Sequence, residues 1–261
     1  MGEENNGNLL TFGGHLEVLR RMLFRIIGVA GAIAVLVFCF KDDTFRLLLA
    51  PSEWDFVTYR LLEHAMQGMG MDFRFEEYHI ELIATDLSSQ FMTHVTTAVY
   101  LGLLGASPYI LYELFRFVSP ALYENERRYS VQVVCTIYVL FIVGVLMSYF
   151  VLFPISFRFL GTYSVADKVH STITLDSYIE TFTSLTLIMG VVFQLPVVAF
   201  FLGKMGIVTS GMLAQYRKHA FIVIMLVAAI ITPPDIMTLV LVTVPLYLLY
   251  EVSIQVVKWT E

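Results

Sequence analysis

Long stretches without charged side chains dominate this chain. The longest runs from Tyr129 to Phe157, twenty-nine residues without one Asp, Glu, Lys or Arg. A helix needs about 20 apolar residues to cross a hydrocarbon core about 30 Å thick. Largely apolar windows predict six transmembrane helices, over about residues 22–40, 91–114, 129–153, 179–202, 219–232 and 237–257. The sequence therefore predicts an all-α polytopic membrane protein with one transmembrane domain over residues 1–261.

The last two windows are short. Their uncharged cores, residues 219–234 and 236–250, contain sixteen and fifteen residues. A re-entrant hairpin would fit, and so would two short spans that thin the membrane locally. We favour two short spans, because the last helix gains length if Glu251 lies near an interface. Between them, Pro233 and Pro234 cannot continue a helix, and Asp235 must stay near water.

Prolines lie within or beside four of the predicted spans, at Pro108, Pro154, Pro196 and Pro233. Proline removes a backbone hydrogen bond and bends a helix. Bent helices favour a concave bundle over a tight cylinder.

Charged residues are segregated along the chain. Between Lys41 and Asp86 there are ten acids and four bases. Basic residues instead cluster before the first predicted span, between the second and third, between the fourth and fifth, and after the sixth. Cytoplasmic loops of membrane proteins carry an excess of Lys and Arg. The pattern therefore predicts that both termini are cytoplasmic and that residues 41–90 form an outer loop.

The composition agrees with a membrane protein. The chain is 57% hydrophobic and 15% charged, with a mean hydropathy of +0.74. Its net charge of -6 argues against binding to nucleic acid. The first apolar run ends at Lys41 without a small-residue cleavage site, which predicts a retained span rather than a removed signal peptide. Cys39 and Cys135 are predicted near opposite faces of the bilayer, so no disulfide is expected between them.

Motifs for common enzyme chemistry are missing. Gly203-Lys204 lacks the earlier glycine of a phosphate-binding loop, and His15-Leu16-Glu17 lacks a second histidine at metalloprotease spacing. Ser210-Gly211 resembles half of an intramembrane serine protease motif, but it lies in a predicted cytoplasmic loop. The sequence predicts no enzyme, no metal site and no cofactor.

Glu126 lies in a turn that begins at Pro120, at the predicted cytoplasmic surface. It could be a solvated acid paired with Arg127 or Arg128. It could also be an anionic receptor for a cationic peptide, because a carboxylate at the membrane boundary stays ionised while pairing still contributes energy.

Gln194 lies near the middle of the fourth predicted span, just before Pro196. An unpaired amide at that depth is costly, so it is expected to face another helix. It could hydrogen-bond within the protein, or it could mark a docking surface for a second membrane protein.

Several motifs together resemble one family. They are FVSPALYENERR at 117–128, ITPPD at 231–235, HLEVLR at 15–20 and ATD at 84–86, with lesser matches SYFVLFP at 148–154, FQLPV at 193–197, GIV at 206–208 and PLYLLYE at 245–251. With these motifs the chain resembles the TatC family, the multispanning receptor subunit of the twin-arginine protein translocase. The similarity runs over essentially the whole chain.

The resemblance implies a receptor in the bacterial cytoplasmic membrane that binds Arg-Arg signal peptides of folded cargo proteins. This receptor would then recruit single-span TatA/TatB-type subunits into an oligomeric complex, which is surrounded by membrane lipid. The proton-motive force would drive transport. The signal-binding residues it implies are Glu126, Glu17, Phe117, Pro51 and Arg20. The partner contacts it implies are Gln194 and Met205, and the further polar positions are Asp235, Asp86 and Glu251.

The chain departs from the family pattern at three positions. The family's amino-terminal acid stands directly before Leu-Arg, whereas this chain has Val18 there and Glu17 one residue earlier, about 100° around a helix. Gln194 stands where the family usually has glutamate, and Leu239 where it usually has glutamine.

Two other functional classes compete with a receptor. A small-solute or ion transporter typically has polar residues near the membrane midplane in broken helices, for which Gln194 is a candidate. A structural scaffold would contact partner helices whether or not a signal peptide is present.

Overall fold

The computed structural model describes residues 12–71, 77–78, 80–118, 130–164, 166, 172–232 and 235–261. Helices lie in each of the six predicted windows. In chain order the helices are α1 Phe12–Cys39, α2 Lys41–Leu49, α3 Val57–Gly68, α4 Ser89–Gly105, α5 Ser107–Val118, α6 Ser130–Met147, α7 Phe153–Thr162, α8 Leu175–Val192, α9 Leu195–Lys204, α10 Ser210–Gln215, α11 Arg217–Ile231 and α12 Ile236–Lys258. Two short strands, β1 Leu82–Ile83 and β2 Ile173–Thr174, pair in parallel.

Four helical segments in the described part of the chain are long and apolar enough to cross a membrane: Leu16–Cys39, Val133–Thr162, Leu175–Lys204 and Ile236–Lys258. Helices α4 and α5 together form a further candidate that is bent by 53°. The prediction of an all-α polytopic membrane protein is confirmed. Helix α11 has only 15 residues, about 22 Å at 1.5 Å per residue, so six spans stay a prediction.

The breaks between helices coincide with prolines. Pro108 follows the bend between α4 and α5, and Pro196 follows the turn between α8 and α9. Ser148–Leu152, just before Pro154, is π-helical. Because proline has no N–H, each one leaves a carbonyl in the preceding turn without its helical donor. The predicted bending is therefore confirmed at Pro108, where the two helices differ by 53°. At Pro154 and Pro196 the regular α-helix is interrupted, and Pro233 and Pro234 lie outside the described residues.

The chain divides into two compact units. The first consists of residues 1–39 and 98–138, which contain α1, α5, the second half of α4 and the beginning of α6. Helices α1 and α4 approach closely there, since a Cβ added at Gly102 would lie 2.7 Å from the carbonyl oxygen of Ala30. Cys39 and Cys135 are free thiols, as predicted.

The second unit consists of residues 40–97 and 139–261, and its core is aromatic. The ring of Phe153 packs edge-on against Tyr178 and Phe182, with centroids 5.0 Å and 4.9 Å apart. Helices α9 and α11 pack on α12. Helices α6 and α8 meet at glycines, since a Cβ at Gly144 would lie 2.6 Å from the carbonyl oxygen of Met189.

Residues 40–88, called the first loop below, are anchored to the rest of the second unit through hydroxyl groups. Thr58 donates to the carbonyl oxygen of Phe150, and Tyr59 donates to that of Pro154 at 2.7 Å. The Arg158 guanidinium lies over the Tyr59 and Tyr78 rings, 5.1 Å and 4.7 Å from their centroids. Burial raises the pKa of Tyr59, so its hydroxyl stays protonated as a donor. These contacts fix the loop on α7.

Candidate functional site

A buried carboxylate joins α1 and α5 in the first unit. Glu113 on α5 is 5% exposed. The Tyr109 hydroxyl, one helical turn earlier, donates to Glu113 Oε1 at 2.9 Å, and Arg25 Nη1 from α1 lies 3.4 Å from the same oxygen. Burying a carboxylate without hydrogen-bond partners costs free energy, so these two donors explain why the Glu113 carboxylate can be buried.

A cavity of about 320 Å³ opens beside this carboxylate. Its polar lining consists of Arg21, Arg25, Glu113 and Arg116. Its apolar lining consists of Val18, Met22 and Phe117. The cavity lies where the apolar part of α1 begins and where α5 ends.

The structure brings some of the predicted signal-binding residues together. Phe117 is half-buried and lines the cavity. Glu17 lies one residue from the lining residue Val18, and its Oε1 accepts from Arg21 Nη2 at 2.5 Å. Arg20 is exposed and is not among the residues that line the cavity.

Of the other two predicted signal-binding residues, Glu126 lies outside the described residues, and Pro51 does not line this cavity. Pro51 is buried in the second unit, in the 3-10 turn Ala50–Ser52 that contacts α7. Along the chain Pro51 follows α2, whereas Glu17 lies in the amino-terminal part of α1.

The predicted partner contacts lie at the two ends of α9. Gln194 precedes α9 and is half-buried, and its Nε2 donates to the Gly190 carbonyl at 3.4 Å within the preceding helix. Met205 follows α9 and is 51% exposed.

The remaining predicted polar residues have structural partners. Asp235 caps α12 by accepting from the Thr238 N–H at 2.7 Å, and it also lines a largely apolar cavity of about 610 Å³. Glu251 holds Arg217 through two hydrogen bonds, of 2.8 Å and 3.0 Å. Asp86 is exposed, and its carbonyl accepts from the Ser89 N–H at 3.1 Å.

Sequence reasoning did not single out Glu113 or Asp176. Asp176 at the start of α8 accepts hydrogen bonds from the buried hydroxyls of Ser89 and Thr93 on α4. Glu113 did leave a signal, because an acid inside a predicted apolar span is costly and usually has a role. Its partner Arg25, however, is 88 positions away in the sequence.

Comparison with known proteins decides the family. The model of the family described as "Sec-independent protein translocase protein (TatC)" matches residues 14–245. The chain belongs to the TatC family. It is 32% identical over 257 residues to TatC of Blattabacterium sp. subsp. Periplaneta americana, which covers 97% of each chain. It is 30% identical over 254 residues to TatC of Escherichia coli strain K12, covering 97% of this chain and 89% of the relative.

A solved structure supports the same assignment. The crystal structure of the "Twin Arginine Translocase Receptor- TatC" superposes with a TM-score of 0.74 at 29% identity, covering 94% of this chain and 99% of the other. The resemblance to TatC that the motifs gave is thus confirmed, and with it the helical membrane fold. As a TatC protein, the chain serves protein translocation and is not an enzyme, as predicted.

Proposed function

We propose that this TatC-family chain is the receptor and core subunit of a twin-arginine export complex in the bacterial cytoplasmic membrane. It binds Arg-Arg signal peptides at its cytoplasmic face and recruits single-span TatA/TatB-type subunits. Folded proteins then cross the membrane, driven by the proton-motive force. The observation that carries this proposal is the match, over 94% of the chain, to a structure named as a twin-arginine translocase receptor.

The charge pattern supports an orientation with both termini in the cytoplasm. The cavity in the first unit has three arginines in its lining, and Lys258 lies in the last turn of α12. An excess of Arg and Lys is typical of cytoplasmic segments. Cysteine introduced at Asn125, with Cys39 and Cys135 replaced, should react with a membrane-impermeant thiol reagent only when the cytoplasmic side is accessible. Labelling from the opposite side would contradict this orientation.

The location of Phe117 supports a signal site at the cytoplasmic surface. Phe117 lies at the end of α5 beside the amino end of α1, and Glu126 follows nine residues later in the sequence. A carboxylate can hold the planar guanidinium of arginine through two parallel hydrogen bonds, whereas lysine presents only a point charge. Glu126 is therefore assigned the main contact with the Arg-Arg pair.

Glu17 has a secondary role in this proposal. Its carboxylate is held by Arg21 at 2.5 Å, so an incoming guanidinium reaches it only by displacing Arg21. Both side chains are more than half exposed, and exposed pairs of this kind contribute only about 0.2–1 kcal/mol. The exchange is therefore inexpensive, and Glu17→Gln should weaken signal binding less than a change at Glu126.

Charge reversal tests the site. Glu126→Lys should abolish binding of an Arg-Arg signal peptide to the membrane-inserted protein. Glu124→Lys is the matched control, since it makes the same charge change two residues earlier, and it should retain binding. Binding is measured by crosslinking a labelled peptide in native membranes, with a Lys-Lys peptide as the second reference. If Glu126→Lys and Glu124→Lys crosslink the peptide equally, Glu126 does not hold the Arg-Arg pair.

Gln194 and Met205 are proposed as contacts for the single-span subunits. Met205 presents an exposed apolar side chain at the end of α9, and Gln194 lies at the helix break before it. Photocrosslinkers at these two positions should reach a single-span subunit, and the crosslinks should change when signal peptide is added. A pattern that does not depend on signal peptide would favour a scaffold instead.

A further inference from the structure

The cavity between α1 and α5 carries more positive than negative charge. Three arginines, Arg21, Arg25 and Arg116, and one acid, Glu113, line it. Glu113 is 5% exposed and already accepts from Tyr109 and Arg25. Among the lining residues that the structure describes, the only carboxylate is therefore occupied.

The arginines, in contrast, keep donors available. A guanidinium has five N–H groups. Arg25 uses Nη1 for Glu113 at 3.4 Å, and Arg21 uses Nη2 for Glu17. Arg116 is exposed and makes no ion pair with any residue that the structure describes. Among the described lining residues, the charge that stays uncompensated is thus that of a cation.

The rest of the lining is apolar. Val18, Met22 and Phe117 form this part, and Val18 is 43% exposed. The cavity also lies where the apolar spans of α1 and α5 end, which is the level of lipid headgroups. A ligand that matches both parts carries a negative group beside a hydrocarbon chain.

We propose that this cavity binds an anionic phospholipid. Guanidinium groups of Arg116, Arg25 and Arg21 hydrogen-bond the phosphate oxygens, because planar N–H pairs match a phosphate well. Val18, Met22 and Phe117 contact the glycerol and the first part of an acyl chain. In other membrane proteins, basic pockets between transmembrane helices bind acidic lipid headgroups. The proposal concerns lipid, but it shares Phe117 and Arg21 with the residues used for signal binding above, so its lipid titration is carried out without signal peptide.

Lipid titration tests the site. The full chain in a neutral detergent is titrated with short-chain phosphatidylglycerol, and bound lipid is counted by native mass spectrometry. Phosphatidylcholine with the same acyl chains tests the headgroup charge, and inorganic phosphate tests a free anion. Arg116→Gln should weaken phosphatidylglycerol binding about fivefold, and adding Arg21→Gln should weaken it by about the same factor again.

Two control variants separate charge at the cavity from charge elsewhere. Arg60→Gln removes an exposed arginine on α3, in the second unit, and should leave the affinity unchanged. Arg116→Lys keeps the positive charge and should retain most of the binding. Gel filtration of each variant shows whether it is folded.

Four results would overturn the proposal. Arg116→Gln and Arg60→Gln could bind phosphatidylglycerol equally, or phosphatidylcholine could bind as tightly as phosphatidylglycerol. Inorganic phosphate could also displace the lipid at the lipid's own concentration, which would make this a site for free anions. If instead Glu113→Gln weakened and Arg116→Gln strengthened binding of an Arg-Arg peptide, the cavity would be part of the peptide site rather than a lipid site.

Discussion

The hydroxyl of Thr58 donates to the carbonyl oxygen of Phe150, whose regular helical partner would be the N–H that Pro154 lacks. A residue of the first loop thus satisfies a backbone group left over by a proline. Thr58→Val keeps the shape of the side chain and removes the donor. Since an unsatisfied carbonyl costs about 1–3 kcal/mol, the variant should unfold at a lower temperature, as measured by intrinsic fluorescence in detergent.

The matched control for Thr58 is Thr162. Its hydroxyl donates to the Arg158 carbonyl within its own helix, and the side chain is exposed. Water can replace that bond, so Thr162→Val should change stability by about 0.5 kcal/mol or less. If Thr58→Val and Thr162→Val have the same melting temperature, the hydrogen bond from Thr58 to Phe150 makes no measurable contribution to stability.

Asp176 should stabilise the second unit through the hydroxyls of Ser89 and Thr93. Asp176→Asn removes the charge from both hydrogen bonds, and charge-assisted bonds contribute about 1.5–3 kcal/mol. We expect a loss of about 2 kcal/mol, seen as a lower melting temperature. Asp43→Asn is the control, because Asp43 pairs with Arg46 at an exposed position and such pairs contribute about 1 kcal/mol at most. An equal effect of the two changes would mean that the Asp176 contacts are no stronger than a surface pair.

Gly144 should tolerate no side chain. A Cβ there would lie 2.6 Å from the Met189 carbonyl oxygen and 2.9 Å from the ring of Phe193. Backbone atoms cannot move away at low cost, so Gly144→Ala should destabilise the protein by about 1–3 kcal/mol. Gly28→Ala in α1 is the control, since nothing lies within 4 Å of its added Cβ, and alanine there should be neutral or slightly stabilising. Thermal unfolding of the two variants in the same detergent compares them directly.

The contact between Ser210 and Glu261 should depend on pH. The hydroxyl and the N–H of Ser210 each donate to the Glu261 carboxylate at 2.6 Å, and these bonds lower the pKa of that carboxyl below its ordinary value. The stabilisation is therefore complete above the ordinary glutamate pKa, about 4.3, and is lost as the pH falls through the lowered value. Relative to the intrinsic rate, hydrogen exchange in α10 should become faster as the pH falls through this lowered pKa.

Glu261→Gln is the control for this pH dependence. Glutamine cannot titrate, so in this variant the protection of α10 relative to intrinsic exchange should not change with pH. A wild-type protein that behaves like the variant would exclude a titrating contact.

The sequence predicted helices well because a long uncharged run is stable in a membrane almost only as a helix, which satisfies its own backbone hydrogen bonds. The ends of the helices were predicted less well. The first helix was expected from about residue 22 but begins at Phe12, because Glu17, Arg20 and Arg21 continue the helix beyond the apolar part. Apolarity marks the membrane boundary, whereas hydrogen bonds and caps decide where a helix ends.

Long-range partners could not be predicted from one sequence. Glu113 was visible as an acid in an apolar window, but nothing in its neighbourhood indicates Arg25 on another helix. The strands β1 and β2 have two residues each, too few for a recognisable period, and they exist because Leu82 and Ile173 meet in the folded chain. Glu126 was recognised only through its motif, since its spacing alone favours a solvated turn.

The anchors of the first loop also set an order for biogenesis. Thr58 and Phe150 are 92 positions apart, and Leu48 and Tyr178 are 130 apart. A ribosome finishes the loop long before it makes either partner. The loop must therefore wait, without its hydroxyl-to-carbonyl contacts, until α7 and α8 have left the insertion machinery.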